Sequence, residues 1–216
     1  MMGDMPDNPT ARSVKIGSDE RTGWSSERPR ADGAPPRPAD MSVRSRVLAP
    51  SDRLRYSPGS LVVIVGAAAS APARFADRVI EERGAVLSLA RVRELLAGKV
   101  EESEIEDRAR QLLGVAVLKR LQTKQSVVVP VEGFDAADRE RFVRMAHASG
   151  RPRHVILLDA PRNLVADDER PYVDELRREL DAGELGREGF QTALRLGGNA
   201  LSELKRIVFQ PPPRDD

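Results

Sequence analysis

The stretch Ser60-Leu-Val-Val-Ile-Val-Gly66-Ala-Ala-Ala-Ser70-Ala-Pro72-Ala-Arg74-Phe-Ala-Asp-Arg-Val-Ile80 decides the fold. Its five consecutive aliphatic residues, Leu61 to Val65, predict a strand buried on both faces, because a half-buried strand would alternate apolar and polar side chains. Gly66 ends this run, and an amphipathic helix is expected from about Pro72 to Arg83. The stretch therefore predicts a strand, a short loop and a helix.

The same order of strand, loop and helix characterises phosphate-binding loops, whose sequence is G-x-x-x-x-G-K-[S/T]. Here Ala71, Pro72 and Ala73 occupy the places of the second glycine, the lysine and the hydroxyl residue. Ala71 would reach a left-handed conformation only at a cost of about 1–2 kcal/mol, and proline has no N–H to offer a phosphate. No ammonium or hydroxyl group remains to hold a triphosphate and its Mg²⁺. We therefore expect a loop that binds no nucleotide.

Three residues of this degenerate loop could still contact a nucleotide. Gly66 retains the first position of the motif, and Ser70 could supply a weak polar contact. Arg74 could partly replace the missing lysine charge, although it lies deeper in the predicted helix. These are the candidate residues for residual ATP binding, which we consider the less favoured alternative.

The composition excludes several classes of function. Among 216 residues, 35 are basic and 34 are acidic, so the net charge of +1 favours neither nucleic acid nor an anionic membrane. The absence of cysteine excludes disulfides and thiolate sites. The two histidines, His147 and His154, are too few for a histidine-rich metal site, and we expect both to be structural. No signal peptide or membrane-length apolar run is visible, so we expect a cytoplasmic protein without a metal.

The composition also divides the chain into three parts. Residues 1–49 are rich in Pro, Gly, Ser, Asp and Arg and predict a disordered tail, because they cannot bury enough apolar surface. Residues 50–210 form the predicted domain, and residues 211–216 are expected to fray. In the tail, Trp24 is an isolated aromatic or an anchor for a partner, and Met41 is an alternative start. Four arginines near the boundary are expected to be solvated: Arg44, Arg46, Arg53 and Arg55.

After the first helix, apolar β-branched runs alternate with helical patterns. The predicted strands are Ala85–Ser88, Ser126–Val131, Val155–Leu158, Ala193–Leu196 and Ile207–Phe209. The predicted helices are Arg91–Ala97, a long helix from about Ser103, Asp135–Ser149, Pro171–Ala182 and Asn199–Lys205. Repeated crossovers between apolar strands predict a parallel sheet covered by helices on both faces, which is a three-layer α/β domain.

The long helix carries its own start signal. Ser103 and Glu106 have the spacing of a capping box, in which each side chain accepts a hydrogen bond at the helix start. Apolar residues then recur at helical spacing and are expected to face the core: Ile105, Ala109, Leu112, Leu113, Ala116, Val117 and Leu121.

Five segments between about Ser60 and Leu196 together resemble a known family. They are Leu61-Val-Val-Ile-Val-Gly66, Val86-Leu-Ser88 followed by Arg93, Val127-Val-Val129, Val155-Ile-Leu-Leu-Asp159-Ala-Pro161 and Leu185-Gly-Arg-Glu-Gly-Phe190. Their order and spacing resemble the kinase domain of bacterial polynucleotide kinase–phosphatases, a branch of the P-loop kinases. The resemblance implies a P-loop NTPase fold of the nucleotide-kinase type, with ATP and Mg²⁺ as the family's cofactors.

The chain departs from this family at the positions that carry its chemistry. The resemblance places Ala90 where the family has its catalytic aspartate, and Arg93 at the substrate-binding arginine. The family's Asp-Ala-Thr-Asn segment is replaced by Pro130-Val-Glu-Gly133, in which Glu132 could take a similar role. Arg93 and Glu132 are thus candidates for a residual substrate groove. The family's arginine-rich lid is replaced by Asp167-Asp-Glu169, with only Arg162 and Arg170 nearby.

Three hypotheses follow for function. The leading one is a catalytically inactive, kinase-like module without catalytic residues or cofactor, which binds a protein partner or forms a homo-oligomer. The second is a divergent ATP-dependent kinase for a polynucleotide or a small molecule, using Arg74, Arg93 and Glu132 with ATP and Mg²⁺. The third is a structural or assembly component whose tail engages a larger particle or a nucleic acid.

Overall fold

The computed structural model describes residues 53–68 and 70–211. It contains six strands: β1 (Arg53–Tyr56), β2 (Leu61–Gly66), β3 (Val127–Pro130), β4 (Arg153–Asp159), β5 (Thr192–Gly197) and β6 (Arg206–Phe209). Its six α-helices are α1 (Ala71–Val79), α2 (Leu89–Leu96), α3 (Glu102–Gln122), α4 (Ala136–Ala148), α5 (Arg170–Asp181) and α6 (Gly198–Glu203). The predictions for residues 1–49, Trp24 and Met41 lie outside the described residues, as do those for Arg44, Arg46 and residues 212–216.

The sheets of the described residues are entirely parallel. Four strands pair in the order β3-β2-β4-β5, and β1 pairs with β6 in a second sheet. In the larger sheet Val63 of β2 lies opposite Val129 of β3 and Val155 of β4. Parallel pairing requires crossover connections, and these are supplied by the helices. The predicted parallel α/β sheet is confirmed.

Alternate residues of the central strand β2 enter two different cores, because successive side chains of a strand point to opposite faces. Val63 packs with residues of α3, α4 and α5 on one face. Ile64 packs with Phe75 and Val79 of α1 and with Leu204 after α6 on the other. The five residues from Leu61 to Val65 are fully buried. Helices therefore cover both faces of the sheet, which confirms the three layers.

The predicted end of α1 and the strand predicted after it are wrong. α1 ends at Val79, not Arg83, because Ile80 becomes extended and bridges Ile207. Residues Ala85–Ser88 form no strand: Val86 makes a single bridge to Val128, and Ala85 ends a 3-10 turn. At Ser88 the chain enters α2: its hydroxyl accepts a hydrogen bond from the Arg91 N–H, and its carbonyl accepts one from the Val92 N–H.

The start of α3 and one of its core positions also differ from prediction. The helix begins at Glu102 with Glu101 as its N-cap, so Ser103 lies in the first turn and no capping box forms. Glu106 instead accepts hydrogen bonds from Arg93 and Arg110. Leu112 is 48% exposed, because its neighbour Leu113 takes the inward position on that turn.

One strand was missed by the sequence analysis. Residues 53–56 form β1, although Arg53 and Arg55 were expected to be a solvated lead-in. Tyr56 is buried, and β1 aligns with β6 so that Leu54 lies opposite Ile207. The signal was the alternation of arginine with an apolar residue, which is typical of an edge strand with one solvated face.

Candidate functional site

The loop between β2 and α1 begins with a glycine that strand packing requires. Gly66 lies opposite Leu158 in the β2–β4 pairing, and a Cβ atom on Gly66 would lie 3.0 Å from the Cβ of Leu158. Ala68, two residues later, has a φ of 63°. A left-handed alanine costs about 1–2 kcal/mol. This strained residue is Ala68, and not Ala71, which is the first residue of α1.

The start of α1 places the remaining candidate residues of this loop. Ser70 is the N-cap, but its side chain accepts no capping hydrogen bond. Pro72 is buried within the first turn and offers no N–H to a ligand. Arg74 is exposed, one turn into the helix, and its N–H donates to the Ser70 carbonyl at 3.1 Å. The turn that would receive a phosphate thus presents neither an ammonium nor a capping hydroxyl.

A carboxylate lies at this loop. Oε2 of Glu169 accepts a hydrogen bond of 3.3 Å from the Ala68 N–H. Glu169 belongs to residues 162–170, the lid segment, which leads into α5. Within this segment Arg170 forms an ion pair of 2.5 Å with Asp167 and donates to the Val165 carbonyl. A main-chain donor of the loop is therefore occupied by an anionic group of the chain itself.

Apolar packing holds the lid segment against the loop. Ala67 is buried together with Val165 and Val173 in a small cluster. Phe134 and Ala160 pack partly against the same cluster. The lid segment is thus held beside the loop by both apolar contacts and the Glu169 hydrogen bond.

The second pair of candidate residues comes together at the neighbouring edge of the sheet. Arg93 of α2 donates to Glu132, which follows β3, at 2.6 Å. It also donates twice to Glu106 of α3, at 2.7 and 3.0 Å. Arg110 donates to the same Glu106 at 2.7 Å. We call Arg93, Glu106, Arg110 and Glu132 the Arg93 cluster.

Hydrogen bonds within the Arg93 cluster favour the charged forms of Glu106 and Arg93. Hydrogen bonds from Arg93 and then from Arg110 lower the pKa of Glu106 to about 2. Hydrogen bonds to Glu106 and Glu132 raise the pKa of Arg93.

The adjoining cavity measures about 60 Å³ and is lined in part by Leu89, Asp138 and Phe142. It has room for only a few water molecules, and the guanidinium facing it is already bound to two carboxylates.

A third cluster follows β4 and was not assigned a role from the sequence. Asp159 accepts hydrogen bonds from Nε of Arg177 at 2.7 Å and from Nε of Arg195 at 2.6 Å. Arg177 also donates to Asp174 and to the Ala160 carbonyl. The sequence signal was an aspartate directly after a buried strand, but its partners are 18 and 36 residues away along the chain.

A fourth cluster contains a fully buried arginine. Arg139 of α4 donates to both carboxylate oxygens of Glu188, at 3.0 and 2.5 Å, and to the Phe134 carbonyl at 2.5 Å. Its side chain is 2% exposed, and that of Glu188 is 11% exposed. A bidentate pair of this kind fixes the geometry between α4 and the turn before Phe190.

The two histidines take no part in these clusters. His147 is exposed on α4. The His154 ring lies 4.5 Å from that of Tyr56, and Nδ1 is 2.7 Å from the Thr192 hydroxyl. Burial, and then the Arg153 charge, lower the pKa of His154 to about 4. Within the described ranges no three histidine, aspartate or glutamate side chains are grouped as a metal site would need.

None of the helices in the described part of the chain combines the length and apolar character needed to cross a bilayer.

Comparisons with known proteins support the fold. The AAA domain family matches residues 61–171, just over half of the chain. No curated protein matches with significant similarity. Among solved structures, the Deinococcus radiodurans tunicamycin resistance protein is 20% identical with a TM-score of 0.38, covering 71% of this chain and 99% of that one. A candidate kinase from Chloroflexus aurantiacus is 15% identical with a TM-score of 0.39, covering 65% and 86%. At these scores the structural likeness carries no argument about function.

Proposed function

This chain belongs to the AAA domain family, and we propose that it is a kinase-like module that has lost phosphoryl transfer and acts by binding protein. The observation that carries the proposal is the Glu169 carboxylate at the Ala68 N–H, in a loop that has no lysine and whose Ser70 hydroxyl makes no capping hydrogen bond. A phosphate at this place would meet a negative charge where an active loop offers a positive one. Repulsion of this kind opposes the binding of a triphosphate.

The proposal is also supported by the state of the candidate acceptor groove. A phosphoryl transferase needs cations that can contact the transferred group and a base near the attacking hydroxyl. Arg93 is bound by two carboxylates, and the place of the catalytic aspartate is taken by Ala90, which is exposed. The alternative of a divergent kinase using Arg74, Arg93 and Glu132 would require the ion pairs of the Arg93 cluster to open. The tail-based assembly hypothesis concerns residues outside the described part.

The proposal is tested by thermal unfolding with and without Mg-ATP. A ligand at a hundred times its Kd adds about 2.7 kcal/mol to the free energy of unfolding, which raises Tm by several degrees. We expect Tm to change no more with millimolar Mg-ATP than with MgCl₂ and sodium chloride at equal ionic strength. A saturable rise of several degrees specific to ATP would contradict the proposal.

An ATP-dependent rise would leave the kinase alternative to be examined. Replacing Arg93 by Met should then abolish the transfer of phosphate if this residue serves the substrate groove. Replacing Arg178, an exposed arginine of α5, by Met is the matched control and should leave transfer unchanged. Residual transfer by the Arg93→Met variant would argue against the groove as the acceptor site.

A further inference from the structure

Helix α3 exposes apolar side chains that the domain does not cover. Ala109, Leu113, Val117 and Leu121 are buried in the core, as expected for the inner face of the helix. On the opposite side Val115 is 58% exposed and Leu112 is 48% exposed. A surface helix normally carries a polar outer face, so these two exposed apolar side chains suggest a contact with another molecule.

The outward face of α3 forms a regular stripe. Its members recur every three or four residues and are all exposed: Glu104, Arg108, Gln111, Val115, Lys119 and Gln122. At 100° per residue these six lie within about 80° of one another around the helix axis, and Leu112 borders them. We call these six residues the α3 stripe. With Val115 near its middle, the stripe has an apolar centre and polar ends.

A groove runs along one side of the α3 stripe. It is lined by Val115, Leu118 and Gly114 of α3 and by Met145 and Arg141 of α4, and its volume is about 380 Å³. A Cβ on Gly114 would lie 3.5 Å from the Met145 methyl group, so the glycine keeps this groove open between the two helices. Apolar side chains of a partner could therefore enter beside the stripe.

The charges of α3 are ordered along its length. All its acidic residues lie between Glu102 and Asp107, whereas Lys119 and Arg120 lie in its last turn. On the stripe itself Glu104, which forms an ion pair of 3.0 Å with Arg108 of its own chain, is at one end and Lys119 is at the other. These two residues are about 22 Å apart along the axis at 1.5 Å per residue. A helix that paired with a second copy of itself in the antiparallel direction would place each glutamate opposite a lysine.

We propose that the α3 stripe is a homodimer interface in which two copies of this chain pair their α3 helices in antiparallel fashion. The two-fold axis passes between Gln111 and Leu112, which sets Glu104 level with Lys119 of the partner. The same symmetry lays the aliphatic stem of Arg108 over the partner's Val115. The proposal rests on the proposed function, because it names a second copy of this chain as the protein partner.

The first test places a charge at the centre of the interface. The full-length Val115→Lys variant is compared with Leu164→Lys, since Leu164 is 71% exposed and lies on the lid segment, outside α3. Sedimentation velocity over a concentration series should give a dimer for the wild type and for Leu164→Lys. We expect the dimer dissociation constant of Val115→Lys to rise about tenfold or more, because each new ammonium group then lies level with Arg108 of the partner.

The second test exchanges the charged ends of the stripe. The order of acidic and basic residues also suits the dipole of a single helix, so charge order alone does not require a partner. The single variants Glu104→Lys and Lys119→Glu should each weaken the dimer, because each brings like charges together. The double variant Glu104→Lys with Lys119→Glu should recover most of the wild-type dissociation constant, which a dipole effect would not produce.

The outcomes separate this inference from the proposed function. A wild type that remains monomeric over the concentration series contradicts the interface, as does a Val115→Lys variant that dimerises as well as Leu164→Lys. Circular dichroism and urea unfolding of each variant verify that the fold is intact. An ATP-dependent Tm shift in a protein that dimerises through the stripe would reject the proposed function and leave the interface standing. A monomeric protein without an ATP-dependent Tm shift would reject the interface and leave the proposed function standing.

Discussion

The loop after β2 and the Arg93 cluster lie after neighbouring strands of one sheet, yet their charges are arranged in different ways. At the loop the cation is absent from the sequence, and apolar side chains together with Glu169 lie beside the main chain. In the Arg93 cluster the cations remain, but each is bound by a carboxylate. The first region has no lysine at the motif position, and in the second the arginines are neutralised by ion pairs.

This difference determines how each region responds to mutation. Restoring a cation to the loop would also require displacing the Val165 and Val173 packing that is buried there. Freeing Arg93 requires only the removal of carboxylates that are a quarter to two-fifths exposed. Apolar packing therefore holds the lid segment against the loop. The Arg93 cluster is held together by ion pairs, which water and salt weaken.

The largest expected effect is the loss of a buried arginine–carboxylate ion pair, compared with the loss of a partly exposed one. Arg139→Met leaves Glu188 buried without its cation, and we expect the free energy of unfolding to fall by about 3–5 kcal/mol. Arg93→Met removes an arginine of similar contacts that is 32% exposed, and should cost only about 0–1 kcal/mol. Urea unfolding of both variants measures the difference. Equal losses would mean that the ion pairs of the Arg93 cluster stabilise the fold as much as a buried pair does.

The second effect concerns the reason for Gly66. Gly66→Ala forces a Cβ to within 3.0 Å of the Leu158 Cβ, and we expect a loss of about 1–3 kcal/mol from overpacking. Gly84→Ala is the control, because an added Cβ would meet only an Arg120 nitrogen at 3.8 Å. It should change stability by about 0.5 kcal/mol or less. A neutral Gly66→Ala variant would contradict the view that packing alone requires this glycine.

The sequence was sufficient for the central sheet because its signals are local. An unbroken aliphatic run such as Leu61–Val65 can be placed only in a strand buried on both faces, and Asp135 before a helical pattern identifies a cap. For the strand and the cap, the position along the chain fixes the position in the fold. The family resemblance assigned Arg93 and Glu132 to one groove, and the two side chains form an ion pair.

The sequence was insufficient where a long side chain selects one of several partners. Glu106 was assigned to a capping box, because Ser103 lies three residues before it, but two arginines bind it instead. The Asp167-Asp-Glu169 segment was recognised in place of the family's arginine-rich lid, whereas the hydrogen bond from Ala68 to Glu169, 101 residues away, was not predicted. Such contacts depend on how the lid segment folds back, which no local pattern encodes.

The third effect is a pH dependence that sharpens the electrostatic side of the comparison. Glu106 has a pKa of about 2 in the folded chain against an ordinary value of 4.5, because Arg93 and Arg110 donate to it. Its contribution to stability is therefore present above pH 4.5 and is lost as the pH falls from 4.5 towards 2. Since the side chain is 43% exposed, we expect a loss of at most about 1 kcal/mol. Glu106→Gln should flatten the stability profile in this window.

His154 provides an internal control for that profile. Its pKa is lowered from 6.5 to about 4 by burial, so the unfolded chain takes up the proton first as the pH falls. Stability is consequently lost between pH 6.5 and 4, in the wild type and in Glu106→Gln alike. If Glu106→Gln removed the slope above pH 4.5 as well, the loss could not be assigned to the Arg93 cluster.

The smallest effect on stability, and the most direct test of the loop, is Glu169→Gln. The amide oxygen can still accept from the Ala68 N–H, but a hydrogen bond to a neutral acceptor is weaker than one to a carboxylate. Because the bond is 3.3 Å long and exposed, we expect stability to fall by about 0.5 kcal/mol or less. Amide hydrogen exchange at Ala68 should nevertheless become faster, since the lid segment opens more often.

The informative comparison is with Asp168→Asn, which removes the same charge from the adjacent exposed position. If the Glu169 carboxylate occupies the loop, inorganic triphosphate should shift the Ala68 amide resonance in Glu169→Gln but neither in Asp168→Asn nor in the wild type. Equal responses in both variants would mean that the lid segment repels anions through its total charge, without specific occupation of the Ala68 N–H. Only the apolar packing of Val165 and Val173 would then hold the lid segment against the loop. The loop would differ from the Arg93 cluster in having no specific polar contact of this kind.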